Sequence, residues 1–356
     1  MVTRHGRRAR PVGQRRSSDM EAVQIWPSMS SHQLRRRSFA IAGLCVLCCA
    51  AMGCPTSKLS STSQLSAATQ QTRINQPIPF KVEEIFGQRP VVDISLNGRA
   101  YRAMIHANAG FYLQINHAQA EAVGVEDMEH QGSYGIEAAG KVSALGRDTG
   151  VVGRLAVGSV VDRDVQVSVF ETPGPEHDRV CMLGLGWISA HALVMDFARN
   201  QVTAPTDPDA AKALRERLLG EGYVALPMTR GEGKDGRYLV TGTIGKASAP
   251  MVVSTVSTLT LDTEFARRAG VTQGKLIGEF GGPSGATGSV YESRDPVVLR
   301  IGDWHARPLK ASIEDTYAYS KETRPADPIG GNIGADFLIA HGAVIDFGSK
   351  TLYVRR

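Results

Sequence analysis

Short apolar runs separated by glycine, asparagine and aspartate dominate the chain from about residue 77 onward. Residues 91–96 precede Asn97-Gly98, and residues 155–158 and 165–169 repeat the pattern of β-branched residues followed by a turn. Such runs are typical of strands joined by tight turns. The pattern therefore predicts an all-β fold for most of the chain.

A few segments interrupt the strand pattern with helical signals. Asp207 followed by Pro208 is a typical N-cap and first helical position, and Gly220 is a typical stop. We predict one helix here. Residues 117–124 and 264–270 have the composition of short helices that end at glycine.

An internal repeat divides the strand-rich region into two halves. Residues 183–197 align with residues 333–347, and six of the fifteen pairs are identical, namely 184/334, 190/340, 191/341, 194/344, 196/346 and 197/347. Upstream, residues 103–106 pair with residues 250–254, and the spacings from His106 to Gly184 and from Ser254 to Gly334 nearly agree. The repeat predicts a first lobe at residues 77–205, a connecting helix at residues 206–221 and a second lobe at residues 222–356.

The net charge of +5 arises from the first 53 residues. They hold nine arginines against Asp19 and Glu21, a net of +7, which leaves 31 basic and 33 acidic residues in the rest of the chain. The region expected to fold is therefore nearly neutral. A surface that binds nucleic acid is not predicted.

The beginning of the chain has the pattern of an export signal. Arg35, Arg36 and Arg37 precede an apolar run at residues 39–53 that is too short for an ordinary membrane-spanning helix. Residues 1–28 resemble no part of such a signal, and Met29 would begin a leader of ordinary length. Residues 36–39 also resemble a twin-arginine signal without its strongest flanking residues. An uncleaved membrane anchor is the alternative interpretation.

The residues at the end of this apolar run resemble a bacterial lipobox, with the sequence Ala-Met-Gly before Cys54. The resemblance implies that the Cys54 thiol carries a diacylglyceryl group, so that an exported protein is held at a membrane of the cell envelope. Residues 54–76 are rich in serine, threonine and glutamine, as expected of a linker. Cys181 is then the one cysteine left in the folded region.

The order of elements in each half resembles the bacterial retropepsin-like aspartyl proteases, and the tandem copy resembles the two-lobed pepsin architecture. Each half has an apolar strand, a loop, a short helix, a glycine-rich hairpin, an apolar-apolar-Gly segment and a strand of the form Val-x-Asp-Phe. The resemblance spans residues 78–356 and implies a two-lobed aspartic protease fold. It further implies that each first apolar strand ends in Asp-Thr/Ser-Gly.

Both expected catalytic aspartates are replaced in this sequence. His106-Ala107-Asn108 and Ser254-Thr255-Val256 stand at the motif positions. Aspartic protease chemistry needs two carboxylates that share a proton, which neither His nor Ser can replace. Of the two hydroxyls that brace the loops in the family, only that of Thr255 remains, so the resemblance implies a one-sided brace.

Other carboxylates do not supply a replacement pair. Asp262 is expected to cap the helical segment that follows it. Asp196 and Asp346 recur at the same position of both halves, which favours a structural role. His191 and His341 also recur and are interpreted as packing or capping residues. A metal site that combines them with His106 is not predicted, and no cofactor is expected.

These substitutions leave three classes of function open. A non-catalytic protein would bind an extended polypeptide or an envelope protein between the lobes, with Tyr134 and Phe280 in the flap-like hairpins as candidate contacts. An enzyme would be an aspartyl-type peptidase with unrecognised carboxylates, or a hydrolase in which Ser254 and His106 form a hydrogen-bonded pair. A structural lipoprotein would fill the cleft with its own side chains. We favour the first class, and expect a Ser254–His106 hydrogen bond to be structural.

Overall fold

A computed structural model describes residues 76–356 apart from 86, 139, 173–179, 206, 232–235, 283–284 and 319–323. The predictions for the leader, Met29, Cys54 and the linker up to residue 75 lie outside the described residues. Within the described part, no helix has the length and apolar character needed to cross a membrane.

The first lobe consists almost entirely of strands. Its elements are β1 (Ile78–Pro79), β2 (Lys81–Glu84), β3 (Gln88–Leu96), β4 (Arg99–His106), β5 (Leu113–Ile115), α1 (His117–Val123), β6 (Glu126–Gly132), β7 (Ile136–Ala138), β8 (Lys141–Val142), β9 (Arg147–Val157), β10 (Val160–Phe170), β11 (Val180–Gly184), α2 (Leu185–Ala190), β12 (Val194–Asp196) and β13 (Gln201–Thr203). The predicted strands at 91–96, 155–158 and 165–169 lie in β3, β9 and β10. The helix predicted at 117–124 is α1, which ends at Gly124 in a left-handed conformation.

The second lobe follows the helix α3 (Pro208–Gly220). Its elements are β14 (Tyr223–Pro227), β15 (Thr229–Arg230), β16 (Tyr238–Ile244), β17 (Ala247–Val253), β18 (Thr260–Asp262), α4 (Thr263–Arg268), β19 (Gln273–Gly281), β20 (Thr287–Ser293), β21 (Arg300–Ile301), β22 (Trp304–His305), β23 (Ser312–Glu314), β24 (Gly331–Ile333), α5 (Ala335–Ala340), β25 (Val344–Asp346) and β26 (Thr351–Arg355). Helix α3 confirms the predicted connecting helix. Asp207 accepts a hydrogen bond from the Ala210 amide as its N-cap, and Gly220 is the last residue of the helix, with Glu221 at the C-cap.

The sheets of the two lobes have the same strand order. In the first lobe the order is β6-β9-β10-β5-β11-β4-β3-β2, and in the second it is β19-β20-β23-β18-β24-β17-β16, with β15 and β21 both paired to β16. In each lobe a late strand, β11 or β24, inserts between two early ones and runs parallel to β4 or β17. The internal repeat in the sequence is therefore a repeat of topology, as predicted.

A third sheet joins the lobes, in the order β1-β13-β12-β25-β26-β14. At its centre β12 and β25 pair antiparallel, so one strand of each lobe contributes to the junction. Apolar side chains on both sides of this junction belong to one continuous core cluster that includes Met195 and Ile345. The described chain thus has the predicted all-β, two-lobed fold.

Two glycines of the repeat allow the inserted strands to approach neighbouring backbone. A Cβ added at Gly184 would lie 2.1 Å from the Phe111 carbonyl oxygen, and one added at Gly334 would lie 2.0 Å from that of Ser257. Both distances are shorter than any tolerable contact. Glycine therefore recurs at this position because no side chain fits where β11 and β24 end.

Candidate functional site

His106 and Ser254 occupy equivalent places in the two lobes. His106 is the last residue of β4 and pairs in register with Gly184, and the Ser254 amide follows β17 and donates to the Ile333 carbonyl over 2.9 Å. Each residue thus stands where an inserted strand ends. The structure brings together at the lobe boundary the two loops that the sequence repeat aligned.

Thr255 connects these loops across the boundary between the lobes. Its hydroxyl donates to the Ile105 carbonyl over 2.6 Å and accepts from the Ala107 amide over 2.9 Å. Thr255 and Ala107 are both buried, and the Ala107 methyl group cannot make the reciprocal contact. This inter-lobe brace therefore runs from the second lobe to the first only.

His106 is a buried, neutral imidazole. The residue is only 1% exposed, and its Nδ1 accepts a hydrogen bond from the Asn108 amide over 3.3 Å. Burial, together with the positive charge of Arg89, lowers the pKa of His106 to about 3. Because Nδ1 acts as an acceptor, the neutral ring carries its proton on Nε2, and this donor has no hydrogen-bond partner among the described residues.

The expected hydrogen bond between His106 and Ser254 is not formed, which corrects the sequence-based expectation. Ser254 is fully buried, and its Oγ accepts a 3.4 Å hydrogen bond from the Val256 amide. The physical reason is the same in both loops, since each side chain folds back onto the amide two residues further along its own loop. The loops bond to themselves rather than to each other at this position.

The carboxylates considered from the sequence hold local structure. Asp262 is the N-cap of α4 and accepts hydrogen bonds from the Glu264 and Phe265 amides, and it also contacts Arg324. Asp196 accepts from the Ala198 amide over 3.0 Å, and Asp346 accepts from the Ser349 amide over 2.9 Å. The predicted structural roles agree with these contacts.

Two charged residues near the site, one buried and one half-buried, were not singled out from the sequence. Arg89, at the start of β3, is 4% exposed and interacts electrostatically with Glu84 and Asp336. Asp336, in the first turn of α5, accepts from the Leu259 amide over 2.7 Å and from the Phe337 amide over 2.6 Å. Burial raises the pKa of Asp336 to about 6, although the backbone hydrogen bonds and Arg89 oppose that rise.

A weak sequence signal for this pair existed. Arg89 directly precedes the apolar run Pro90-Val91-Val92, and Asp336 has no acidic counterpart in the first lobe, where Gly186 stands at the aligned position. Neither feature shows from the sequence alone that the two residues interact across the lobes. The tertiary structure is what brings Arg89 close enough to affect both His106 and Asp336.

The candidate binding residues Tyr134 and Phe280 differ in their surroundings. Tyr134 is half-buried, packs edge-on against Phe170 with ring centroids 5.0 Å apart, and lies beneath the Arg147 guanidinium. Phe280 is 0% exposed and packs with Val290. In this conformation the Phe280 ring fills the inside of its own hairpin, and its contact with a ligand stays a prediction.

The two glycine-rich hairpins approach each other at their tips. We call residues 132–147 the first flap and residues 281–287 the second flap. A Cβ added at Gly140 would lie 3.1 Å from Thr287 Cγ2, and one added at Gly285 would lie 3.0 Å from Val142 Cγ2. The flaps of the two lobes are therefore in near contact.

The recurring histidines lie in separate lobes and have their own partners. His191 ends α2 and its Nε2 lies 3.0 Å from Asp162 Oδ2, and His341 ends α5 with its Nδ1 2.8 Å from the Phe337 carbonyl oxygen. These contacts agree with the packing or capping role expected for both. Among the described residues no group of three or more His, Cys, Asp or Glu side chains is arranged to hold a metal ion.

Comparison with solved structures finds likeness to aspartic proteases at low identity. A retropepsin-like aspartic protease from Rickettsia conorii is 11% identical, with a TM-score of 0.27, over 36% of this chain and 86% of that one. An aspartic proteinase from Irpex lacteus is 10% identical, with a TM-score of 0.43, over 79% of this chain and 96% of that one. No protein-family model and no curated protein matches the sequence. The two-lobed fold follows from the strand pairings described above, independently of these likenesses.

Proposed function

We propose that this protein is a non-catalytic, polypeptide-binding protein of the cell envelope, with an aspartic-protease-like fold. The observation that carries the proposal is the pair His106 and Ser254. These residues stand at equivalent loop positions, are buried, and are each bonded to their own loop. Neither residue is a carboxylate, so the shared proton that aspartic proteases need has no place to reside.

A serine hydrolase is the second candidate, and the geometry disfavours it. A nucleophilic serine needs a base within hydrogen-bond reach, an acid that orients the base, and donors for the oxyanion. His106 Nδ1 is occupied by the Asn108 amide, and Nε2 has no carboxylate partner among the described residues. A base with a pKa of about 3 would also hold an abstracted proton very weakly.

Strand edges beside the flaps support a polypeptide ligand. The sheets of the described lobes end at β6 and β19, and each of these edge strands leads into its lobe's flap. Most residues of β6 are exposed, as are the first residues of β19. An edge strand offers unpaired main-chain donors and acceptors, which an extended peptide can pair with by adding a strand.

Peptide digestion and peptide capture test this proposal together. The full-length chain, purified in detergent, is incubated with an unbiased peptide mixture from acidic to neutral pH, beside His106→Ala and Ser254→Ala variants. We expect no cleavage in any sample, and enrichment of a subset of peptides on the immobilised wild-type protein. Cleavage that is lost in either variant would establish a new active site and overturn the proposal, as would the absence of any enriched peptide.

A further inference from the structure

His106 carries a hydrogen-bond donor that the protein itself does not use. The Nε2–H group belongs to a residue that is 1% exposed, and it has no partner among the described residues. Buried polar groups nearly always have a partner, because an unpaired one loses its hydrogen bonds with water and gains nothing in return. An unpaired donor that persists in a buried site is consistent with an acceptor that arrives with a ligand.

The loop that carries this donor lies at the boundary between the lobes. The loop that begins at His106 is contacted from the second lobe by Thr255, whose hydroxyl binds Ile105 and Ala107. Arg237, also of the second lobe, donates to Asn108 Oδ1 over 3.5 Å. The loop that carries the imidazole is therefore held by contacts that depend on the relative position of the lobes.

The charges around His106 favour a neutral acceptor over an anion. Arg89 is the charged group that acts on the imidazole, and its own charge interacts with the carboxylates of Glu84 and Asp336. An incoming carboxylate or phosphate would thus find a positive charge that is already compensated. A carbonyl oxygen can accept from Nε2–H without adding a charge to this buried environment.

We propose that His106 Nε2–H donates a hydrogen bond to a backbone carbonyl of an extended polypeptide held between the lobes. This inference rests on the proposed function and names the group that recognises the ligand at its centre. No proton is transferred and no covalent bond changes. His106 would then be a binding residue, and its neutral N–H donor would stand where the resemblance implies a catalytic aspartate.

Substitution of a peptide-binding His106 should change the affinity for peptide, whereas substitution of a purely structural His106 should change only the stability of the protein. In the ligand-free protein, His106→Leu removes a buried donor that has no partner, at the cost of the long contact from the Asn108 amide. His106→Gln can keep a donor at the end of the side chain. We therefore expect both variants to fold with thermal midpoints close to that of the wild type, and only His106→Leu to lose affinity for peptide.

The test uses peptides with acetylated N-termini and amidated C-termini, selected by the full-length wild-type chain from an unbiased library. Calorimetry compares wild type, His106→Gln and His106→Leu with the tightest selected peptide. We expect His106→Leu to bind about tenfold more weakly, and His106→Gln to stay within about threefold. Nitrogen-15 NMR of the histidine ring should show the Nε2–H proton of His106 moving downfield when the peptide is added.

A second measurement keeps the test decisive if His106→Leu does not fold. Replacing each peptide amide by an ester weakens one carbonyl acceptor at a time, and a double-mutant cycle with His106→Ala, which lacks the donor, should reveal coupling at one carbonyl. Equal binding by all three proteins, with no NMR shift, would overturn the role of His106 and leave polypeptide binding intact. Failure of the wild type to select any peptide would overturn the proposed function and this inference with it.

Discussion

Met195 of the first lobe lies directly opposite Ile345 of the second, at the centre of the sheet that joins the lobes. On either side of this pair Val194 faces Asp346, and Asp196 faces Val344. Exchanging the two lobes maps the two flanking pairings onto each other and the central pairing onto itself, so a local two-fold axis passes between Met195 and Ile345. Residues 194–196 and 344–346 are also aligned by the sequence repeat, and the symmetric register explains why both copies keep the same Val-x-Asp pattern.

The inter-lobe brace at Thr255 predicts that the stability of the protein depends on the hydroxyl group of this residue. Thr255→Val removes the hydroxyl that binds Ile105 and Ala107 and leaves the buried Ala107 amide without its acceptor. We expect a loss of about 1–3 kcal/mol in the free energy of unfolding, measured by urea denaturation. Thr255→Ser keeps the hydroxyl and is the matched control. Equal stability of the Val and Ser variants would show that the brace does not hold the lobes together.

Two titratable groups at the lobe boundary, the buried His106 and the half-buried Asp336, predict opposite effects of pH on stability. The pKa of His106 is lowered to about 3, so its stabilising contribution is present above its ordinary pKa of 6.5 and is lost as the pH falls toward 3. The pKa of Asp336 is raised from 3.8 to about 6, so its contribution is present below 3.8 and is lost as the pH rises through 6. Between these limits the two effects largely cancel.

Single substitutions should expose each contribution separately. In His106→Gln the free energy of unfolding should fall as pH rises from about 4 to 6, by up to about 1.4 kcal/mol per pH unit. In Asp336→Asn it should rise over the same range with a similar slope. Urea denaturation at several pH values measures both, and parallel pH profiles for wild type and the two variants would contradict the assignment.

Alanine substitution should destabilise the protein at the two repeated glycines and stabilise it at a glycine in an open position. Gly184→Ala and Gly334→Ala each place a methyl group within 2.1 Å of a backbone oxygen, and the shift this requires should cost about 2–3 kcal/mol. Gly220→Ala, near the end of α3 with no atom within 4 Å of the added Cβ, should instead stabilise by about 0.5 kcal/mol. Thermal unfolding of the three variants checks the order. Tolerance at Gly184 or Gly334 would argue against the close backbone approach.

The lipobox-like sequence predicts that Cys54 attaches the protein to a membrane. In bacteria grown with a radioactive fatty acid, the wild-type chain should take up label and sediment with membranes. A Cys54→Ala chain should take up none, and Cys181→Ala serves as the matched cysteine control. A wild-type chain that sediments with membranes but takes up no label would favour the alternative of an uncleaved membrane anchor.

The sequence alone determined the class of fold, because strand runs, turn residues and a spaced repeat are local signals that survive without tertiary information. Runs such as residues 91–96 and the cap at Asp207 depend on neighbours in the chain, and the structure has strands and a helix there. The same local signals identified Asp262 as a helix cap. The role of the Thr255 hydroxyl as a brace came instead from the resemblance to aspartic proteases.

The chemistry of the candidate site was decided by the tertiary structure. Whether His106 bonds to Ser254 or to its own loop depends on side-chain geometry within each turn, and the self-bonded geometry is the one found. The burial of Phe280 and the interaction of Arg89 with Asp336 depend on residues far apart in the chain that meet only after the lobes have packed. Sequence spacing specifies which strands form, whereas burial and distance between lobes determine which charges, donors and acceptors face one another.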